Sequence, residues 1–243
     1  MELIETGDLT NNDGVKNSFS MNCSDAFSLR NYFLPRSIYD LSPFLYDSIA
    51  CSYFYNTLIW GNKTNKYVQF VEDALKFSIN GTILDVGCGS MHFTANSYVK
   101  HKTKIIAVDY SYGMIKQALE RLISINGSIP RNINFIHADI MKFNFPSSAF
   151  NVIIAMNSLS HFDDKINVIS KLSEFVKKDG RIFFSTLVKN NRLSDCYLDL
   201  LYKFGIIGIP HNFSDFKDLL TSRFKGRINI SVVGNMAYGI LIV

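Results

Sequence analysis

Thr82-Ile-Leu-Asp-Val-Gly-Cys-Gly-Ser-Met-His-Phe93 decides the fold of this chain. A short apolar run (Ile83, Leu84, Val86) carries one acid, Asp85, just before glycines at 87 and 89, after which the pattern turns helical. An apolar run, a glycine turn and a helix read as the opening strand-turn-helix of an α/β nucleotide-binding domain. Glycines there let the backbone approach a ligand that a Cβ would meet. The dinucleotide fingerprint would need another glycine at 92, where His92 stands, so no tight pyrophosphate cradle is spelled out. An acid at the strand end is a poor neighbour for pyrophosphate and suits a ligand with a cationic end.

The following strands repeat the device. Lys104-Ile-Ile-Ala-Val-Asp109 is a buried-type strand ending in an acid, at about the ~20-residue spacing from which a carboxylate reaches ribose hydroxyls. A third run, Ile133 to Asp139, again ends in an acid, and a fourth, Phe150 to Met156, leads into Asn157-Ser158-Leu159-Ser160-His161. Ligands of open α/β sheets bind beyond the carboxyl ends of the strands. Three carboxylates delivered to that edge describe a site for a ribose, an adenine amine and an ammonium or sulfonium group.

With these residues in place, the chain resembles the class I S-adenosylmethionine-dependent methyltransferases over roughly residues 80–187. Leu84-Asp-Val-Gly-Cys-Gly89 looks like the first motif of that family. Val108-Asp109 with Ser111-Tyr-Gly-Met-Ile-Lys-Gln-Ala118 looks like the second. Ala138-Asp139-Ile140 resembles the adenine loop, and Val176 to Phe184 the turn into the fifth strand. Met91 departs from the pattern, because many members carry a third glycine there. The resemblance implies a Rossmann-like, mostly parallel seven-stranded sheet with a C-terminal antiparallel hairpin, N-terminal lid helices, and S-adenosyl-L-methionine as cofactor.

Composition narrows the class further. The 243 residues are 47% apolar, enough to bury one sizeable core. Twenty phenylalanines and twelve tyrosines hint at an aromatic-lined cavity. A net charge of +4, spread along the chain, gives no basic stripe for nucleic acid. The four cysteines (23, 51, 88, 196) show no metal spacing, so no metal is expected and reduced thiols in a cytoplasm are the default. No signal peptide is legible, and no apolar run reaches the ~18–20 residues of a membrane span.

Residues 1–60 divide into a polar stretch to residue 30 and a densely aromatic segment, Tyr32 to Trp60, read as one or two helices forming a mobile lid. Residues 61–243 read as the sheet domain, with a substrate insert over 188–225. Helices are expected over Lys63–Phe77 (stopped by Gly81), from Ser111, and from Asp163–Asp164 to Gly180. Two more are expected near Leu193–Phe204 and Ser214–Phe224. The run Arg227–Val233, the pair Gly234-Asn235 and the run Met236–Val243 form a hairpin signal.

Each candidate residue has an expected role. Asp85 would hold the methionine ammonium, with Gly87, Cys88 and Gly89 offering backbone. Asp109 would accept from the ribose diol. Tyr110 and Met114 would flank the adenine, and Asp139 and Ile140 would read its edge. Asn157 and Ser158 would line the site through their backbone. His161, and secondarily His211, are candidate general bases. The expected reaction is in-line methyl transfer to a small-molecule oxygen, nitrogen, carbon or sulfur acceptor held in an aromatic pocket, governed by orientation. The alternatives are a tRNA or protein methyltransferase, which clustered Lys and Arg would mark, and a non-methylating S-adenosylmethionine-binding protein or cyclase. The sequence leaves the acceptor and the oligomeric state open.

Overall fold

A computed structural model describes residues 43–78 and 81–243. Expectations for residues 1–42, including the start of the aromatic segment, lie outside the described residues. The elements run α1 (Pro43–Ala50), α2 (Tyr53–Leu58), α3 (Thr64–Lys76), β1 (Thr82–Val86), α4 (Ala95–Lys100), β2 (Lys104–Asp109), α5 (Tyr112–Asn126), β3 (Ile133–His137) and β4 (Phe150–Met156). There follow α6 (Lys165–Phe175), β5 (Val176–Leu187), α7 (Arg192–Lys203), α8 (Phe213–Phe224), β6 (Ile228–Val233) and β7 (Met236–Ile242). A 3-10 turn, Ser158–His161, leaves the end of β4.

The sheet has seven strands in the order β3-β2-β1-β4-β5-β7-β6. The first five are parallel, and β7 pairs antiparallel with both β5 and β6. Order reverses between β1 and β4, and this switch point opens a crevice at the carboxyl ends of the strands. The central strands are apolar on both faces because helices cover both. Side chains alternate between two cores. Leu84, Val86, Ile153 and Phe184 pack toward α6 and α8. Ile83, Val152, Ile154 and Phe183 pack toward α3, α4 and α5. A third cluster joins Trp60, Tyr67, Leu187, Leu198, Ile207, Met236 and Tyr238 beside α7.

Local chemistry sets the helix ends. The Ser111 hydroxyl accepts from the Met114 amide at 3.2 Å and the Asp164 carboxylate from the Asn167 amide at 2.9 Å, each capping its helix. Two expected stops differ. The third long helix ends at Phe175, not Gly180, and Val176 already pairs with Phe150 in β5. The register then shifts and Asp179, not Gly180, takes the left-handed backbone (φ 64°). Gly180 is small because a Cβ would lie 2.7 Å from the Asn151 carbonyl oxygen. Gly81 likewise lies against the Asn151 side chain, while α3 has already ended at Lys76.

The expected hairpin is present, and its turn anchors distant parts. Buried Asn235 donates its amide to the Trp60 carbonyl at 2.8 Å, and its side-chain NH2 to the Val188 carbonyl at 3.0 Å and to Asp195 at 2.8 Å. Asn235→Ala should therefore cost about 1–3 kcal/mol by leaving a carbonyl and a carboxylate short of a donor. Thermal unfolding checks this; an unchanged Tm would mean that the side-chain bonds contribute nothing.

Candidate active site

Asp85, at the carboxyl end of β1, is only 1% exposed. Its carboxylate accepts the Tyr98 hydroxyl of α4 at 2.9 Å. Burial pushes its pKa up to about 7, against the Tyr98 bond, and the nearby Asp109 charge adds to the rise. An acid so desolvated is suited to a cation arriving in the crevice.

Asp109 ends β2 and organises the glycine turn. One carboxylate oxygen accepts the Gly89 amide at 2.7 Å, the other the Ser111 amide at 2.8 Å. Gly87 and Gly89 both take positive φ, 67° and 53°, but are small for different reasons. A Cβ on Gly87 would strike Ser158, whereas one on Gly89 would enter open space in the crevice. The ligand-path reading thus fits Gly89, and protein packing accounts for Gly87. Met91, at the position of the third glycine, retains a left-handed backbone (φ 54°) and buries its side chain.

Two adjoining clefts make up the site. The larger, about 660 Å³, is lined by Asp109, Tyr110, Met114, Asp139, Ile140 and Ser158, among others. The smaller, about 390 Å³, is lined by Asp85, Cys88, His92 and a wall of aromatic and aliphatic side chains. Gly87, Gly89, Met156, Asn157, His161, Ile206 and Ile207 line both. Asp139 also accepts the Met141 amide at 2.9 Å, so its loop is fixed. Met114 is 4% exposed and serves the core as well as the cleft. Asn157 adopts φ 57°, donates its amide to Ser185 at 2.9 Å and accepts from Ser160 at 2.6 Å, turning the chain across the junction.

His161 lines both clefts. Protein around it lowers its pKa, and the Lys165 charge adds to this against the bond to Ile206. Nδ1 lies 3.2 Å from the Ile206 carbonyl, which only accepts, so the proton sits on Nδ1 and Nε2 is the basic nitrogen. His211 lies elsewhere: its ring stacks on Phe216, and it lines neither cleft.

Sequence reasoning missed three organisers. Lys165, 2% exposed, donates to the carbonyls of Phe162 (2.9 Å) and Ile209 (2.7 Å), clamping the post-α7 loop over the larger cleft. Tyr98 holds Asp85. Asp47 of α1 is buried and accepts from Ser90 (2.6 Å), Gln117 (2.9 Å) and Arg121. Burial raises the Asp47 pKa, but His92, Ser90 and Arg121 more than offset this and hold it low. Cys51 and His92 also lie beside Asp47, within reach of a common point. Arg121 already neutralises that carboxylate and burial keeps the Cys51 thiol protonated, so the group is a polar hub. The only sequence signal for it was a lone acid inside the aromatic run Pro43–Ala50.

Residues 83–180 match the family model of the methyltransferase domain. The chain is 27% identical over 183 residues to malonyl-(acyl-carrier protein) O-methyltransferase 2 of Ilyobacter polytropus, covering 72% of this chain and 66% of that protein. It is 29% identical over 130 residues to phosphoethanolamine N-methyltransferase 1 of Zea mays, covering 54% of this chain and 25% of that one. The solved structure of phosphoethanolamine N-methyltransferase 2 of Haemonchus contortus shares the fold, with a TM-score of 0.62 at 16% identity over 79% of this chain and 43% of that chain. The chain thus spans 25–66% of the length of these two curated relatives.

The buried acid has a consequence for stability without ligand. A carboxyl whose pKa is about 7 when folded and an ordinary 3.8 when unfolded keeps its proton only in the folded state between those values. That stability is full below about pH 4 and lost as pH rises through 7. Asp85→Asn should therefore gain on wild type as pH rises from 4 to 7, the difference levelling off above 7. Urea titrations across this range check it; a difference that does not vary with pH would contradict the raised pKa.

Proposed function

We propose that this chain, a class I S-adenosylmethionine-dependent methyltransferase, moves the sulfonium methyl to a small-molecule acceptor held in the smaller cleft. The carrying observation is that the two clefts meet at Asn157, His161 and the glycine turn, with a buried acid on one side. When bound, S-adenosyl-L-methionine supplies an electrophilic methyl on a charged sulfur. Asp139 and the Ile140 amide would read the adenine edge between Tyr110 and Met114. Asp109 would accept from the ribose hydroxyls while holding the Gly89 and Ser111 amides. Asp85 would take the methionine ammonium, and Ser158, whose buried hydroxyl has no partner among the described residues, would add a polar contact. The protein's main part would be orientation and exclusion of water, of the ~7–11 kcal/mol available from proximity, with His161 at the junction as the candidate general base.

The acceptors named for the relatives carry acidic groups, a malonyl carboxylate or a phosphate. Neither is carried over here, because the smaller cleft offers no lysine or arginine among the described residues to receive one.

Helices α1 and α2 serve as the cover. Ile49, Ala50, Cys51, Tyr55, Asn56 and Trp60 close one side of the smaller cleft, and Asp47 pins them to the glycine turn through Ser90 and to α5 through Arg121. A closing element of this kind excludes water and completes the acceptor pocket.

Two measurements test this reading. Asp109→Ala should weaken S-adenosylhomocysteine binding in calorimetry by about ten- to a hundred-fold, roughly 1.5–3 kcal/mol, with the Tm recorded alongside because two backbone amides lose their acceptor. Unchanged affinity in a folded variant would show that another group reads the ribose. In hydrogen exchange, residues 47–60 should gain protection when S-adenosylhomocysteine is added. Full protection without it would make α1 and α2 a fixed cover, not a lid.

A further inference from the structure

The methionine end of S-adenosyl-L-methionine carries two charges on one carbon, an ammonium and a carboxylate. Asp85 is the group proposed above for the first. The second needs a cation nearby, because a buried carboxylate without a partner is costly. Among the described residues lining the two clefts, only His92 and His161 can carry positive charge. His161 is poorly suited: burial and the Lys165 charge both disfavour its imidazolium, and its Nδ1 is committed to the Ile206 carbonyl. His92 lines the same cleft as Asp85 and follows directly on the glycine turn that leaves β1.

The surroundings of His92 favour an anion in front of it. Its Nδ1 is buried, 3.8 Å from the Asp47 carboxylate, within reach of an ion pair but beyond a hydrogen bond. Its ring meets Phe93 edge-on with centroids 4.8 Å apart, and Phe93 is stacked in turn on Tyr67. The ring is held from behind, and its protonated form has a second N–H, on Nε2, to offer a ligand. Arg121 already balances the charge of Asp47, and burial keeps Cys51 a neutral thiol. A protonated His92 is therefore a surplus cation in this hub, and one ligand carboxylate cancels it.

We propose that His92, backed by Asp47, receives the carboxylate of the methionine end, and that this contact draws the cover helix α1 onto the occupied site. The inference rests on the cofactor reading above. A carboxylate beside the ring favours its protonated form. The charged ring attracts Asp47 more strongly, and shortening the 3.8 Å gap moves α1 toward the glycine turn. Asp47 lines neither cleft, so it is a positioning residue that acts through His92. A ligand shifts an open–closed equilibrium only through contacts that differ between the two states, and the His92 pair supplies that difference.

The experiment compares two probes by calorimetry: S-adenosylhomocysteine and its decarboxylated analogue, which keeps the adenosine, the thioether and the amine. Wild type should bind S-adenosylhomocysteine about tenfold or more tightly than the analogue, as expected for one charge-assisted hydrogen bond. His92→Gln keeps a polar side chain without the charge, and should bring this preference down to about twofold while leaving affinity for the analogue nearly unchanged. In hydrogen exchange at saturation, S-adenosylhomocysteine should protect residues 47–60 of wild type. The analogue should not, nor should S-adenosylhomocysteine in His92→Gln. No preference in wild type, or a preference that persists in the folded variant, overturns the carboxylate assignment while the cofactor reading stands. Equal protection by both probes overturns the coupling to α1. Failure of both probes to bind overturns the cofactor reading and this inference with it.

Discussion

The structure turns on the Asp109 carboxylate, which accepts the Gly89 amide with one oxygen and the Ser111 amide with the other. The first bond fixes the path of the glycine turn after β1, and the second fixes the start of α5 after β2. Two βα connections on neighbouring strands are thereby held at one spacing, and the crevice between them is set before any ligand arrives. The Gly87 and Cys88 amides complete the arrangement by donating to the Val108 carbonyl at 2.7 and 3.1 Å.

Around this frame the polar groups differ in what they lack. Asp109 and Asp139 are bonded to backbone amides of the loops that follow their strands. Asp85 is buried with one donor, Tyr98, and no cation on its carboxylate among the described residues. Asp47, by contrast, accepts from four side chains, Cys51, Ser90, Gln117 and the Arg121 guanidinium. Two buried carboxylates near the same turn thus have different surroundings: Asp47 is held as a structural pin, and Asp85 carries a single hydroxyl donor.

Much of this was legible in the chain. Apolar runs ending in Asp85, Asp109 and Asp139 gave the strands and the edge where the acids gather, because strand period and burial are local properties. The caps Ser111 and Asp164 and the Gly234-Asn235 turn were legible for the same reason. Other features depend on partners far along the chain. Lys165 reads as a surface lysine of an amphipathic helix, and only the return of the 205–209 loop over it makes it a buried clamp. Asp47 becomes a hub through Ser90, Gln117 and Arg121, none of which is near it in sequence. The early start of β5 at Val176 was hidden because Val176-Lys-Lys-Asp-Gly180 has the polarity of a helix end, and pairing with Phe150 overrides that local signal. His211 shared the residue type of a base, but type without position was not enough.

The proposed methyl transfer requires one ligand to lie across two clefts. A crystal structure of the protein with S-adenosylhomocysteine tests that placement most directly. The amino group should lie at Asp85, the ribose hydroxyls within hydrogen-bond distance of Asp109, the adenine beside Asp139 and the sulfur at the junction near Asn157 and His161. A ligand lying wholly in one cleft, or bound with its amino group away from Asp85, would contradict it.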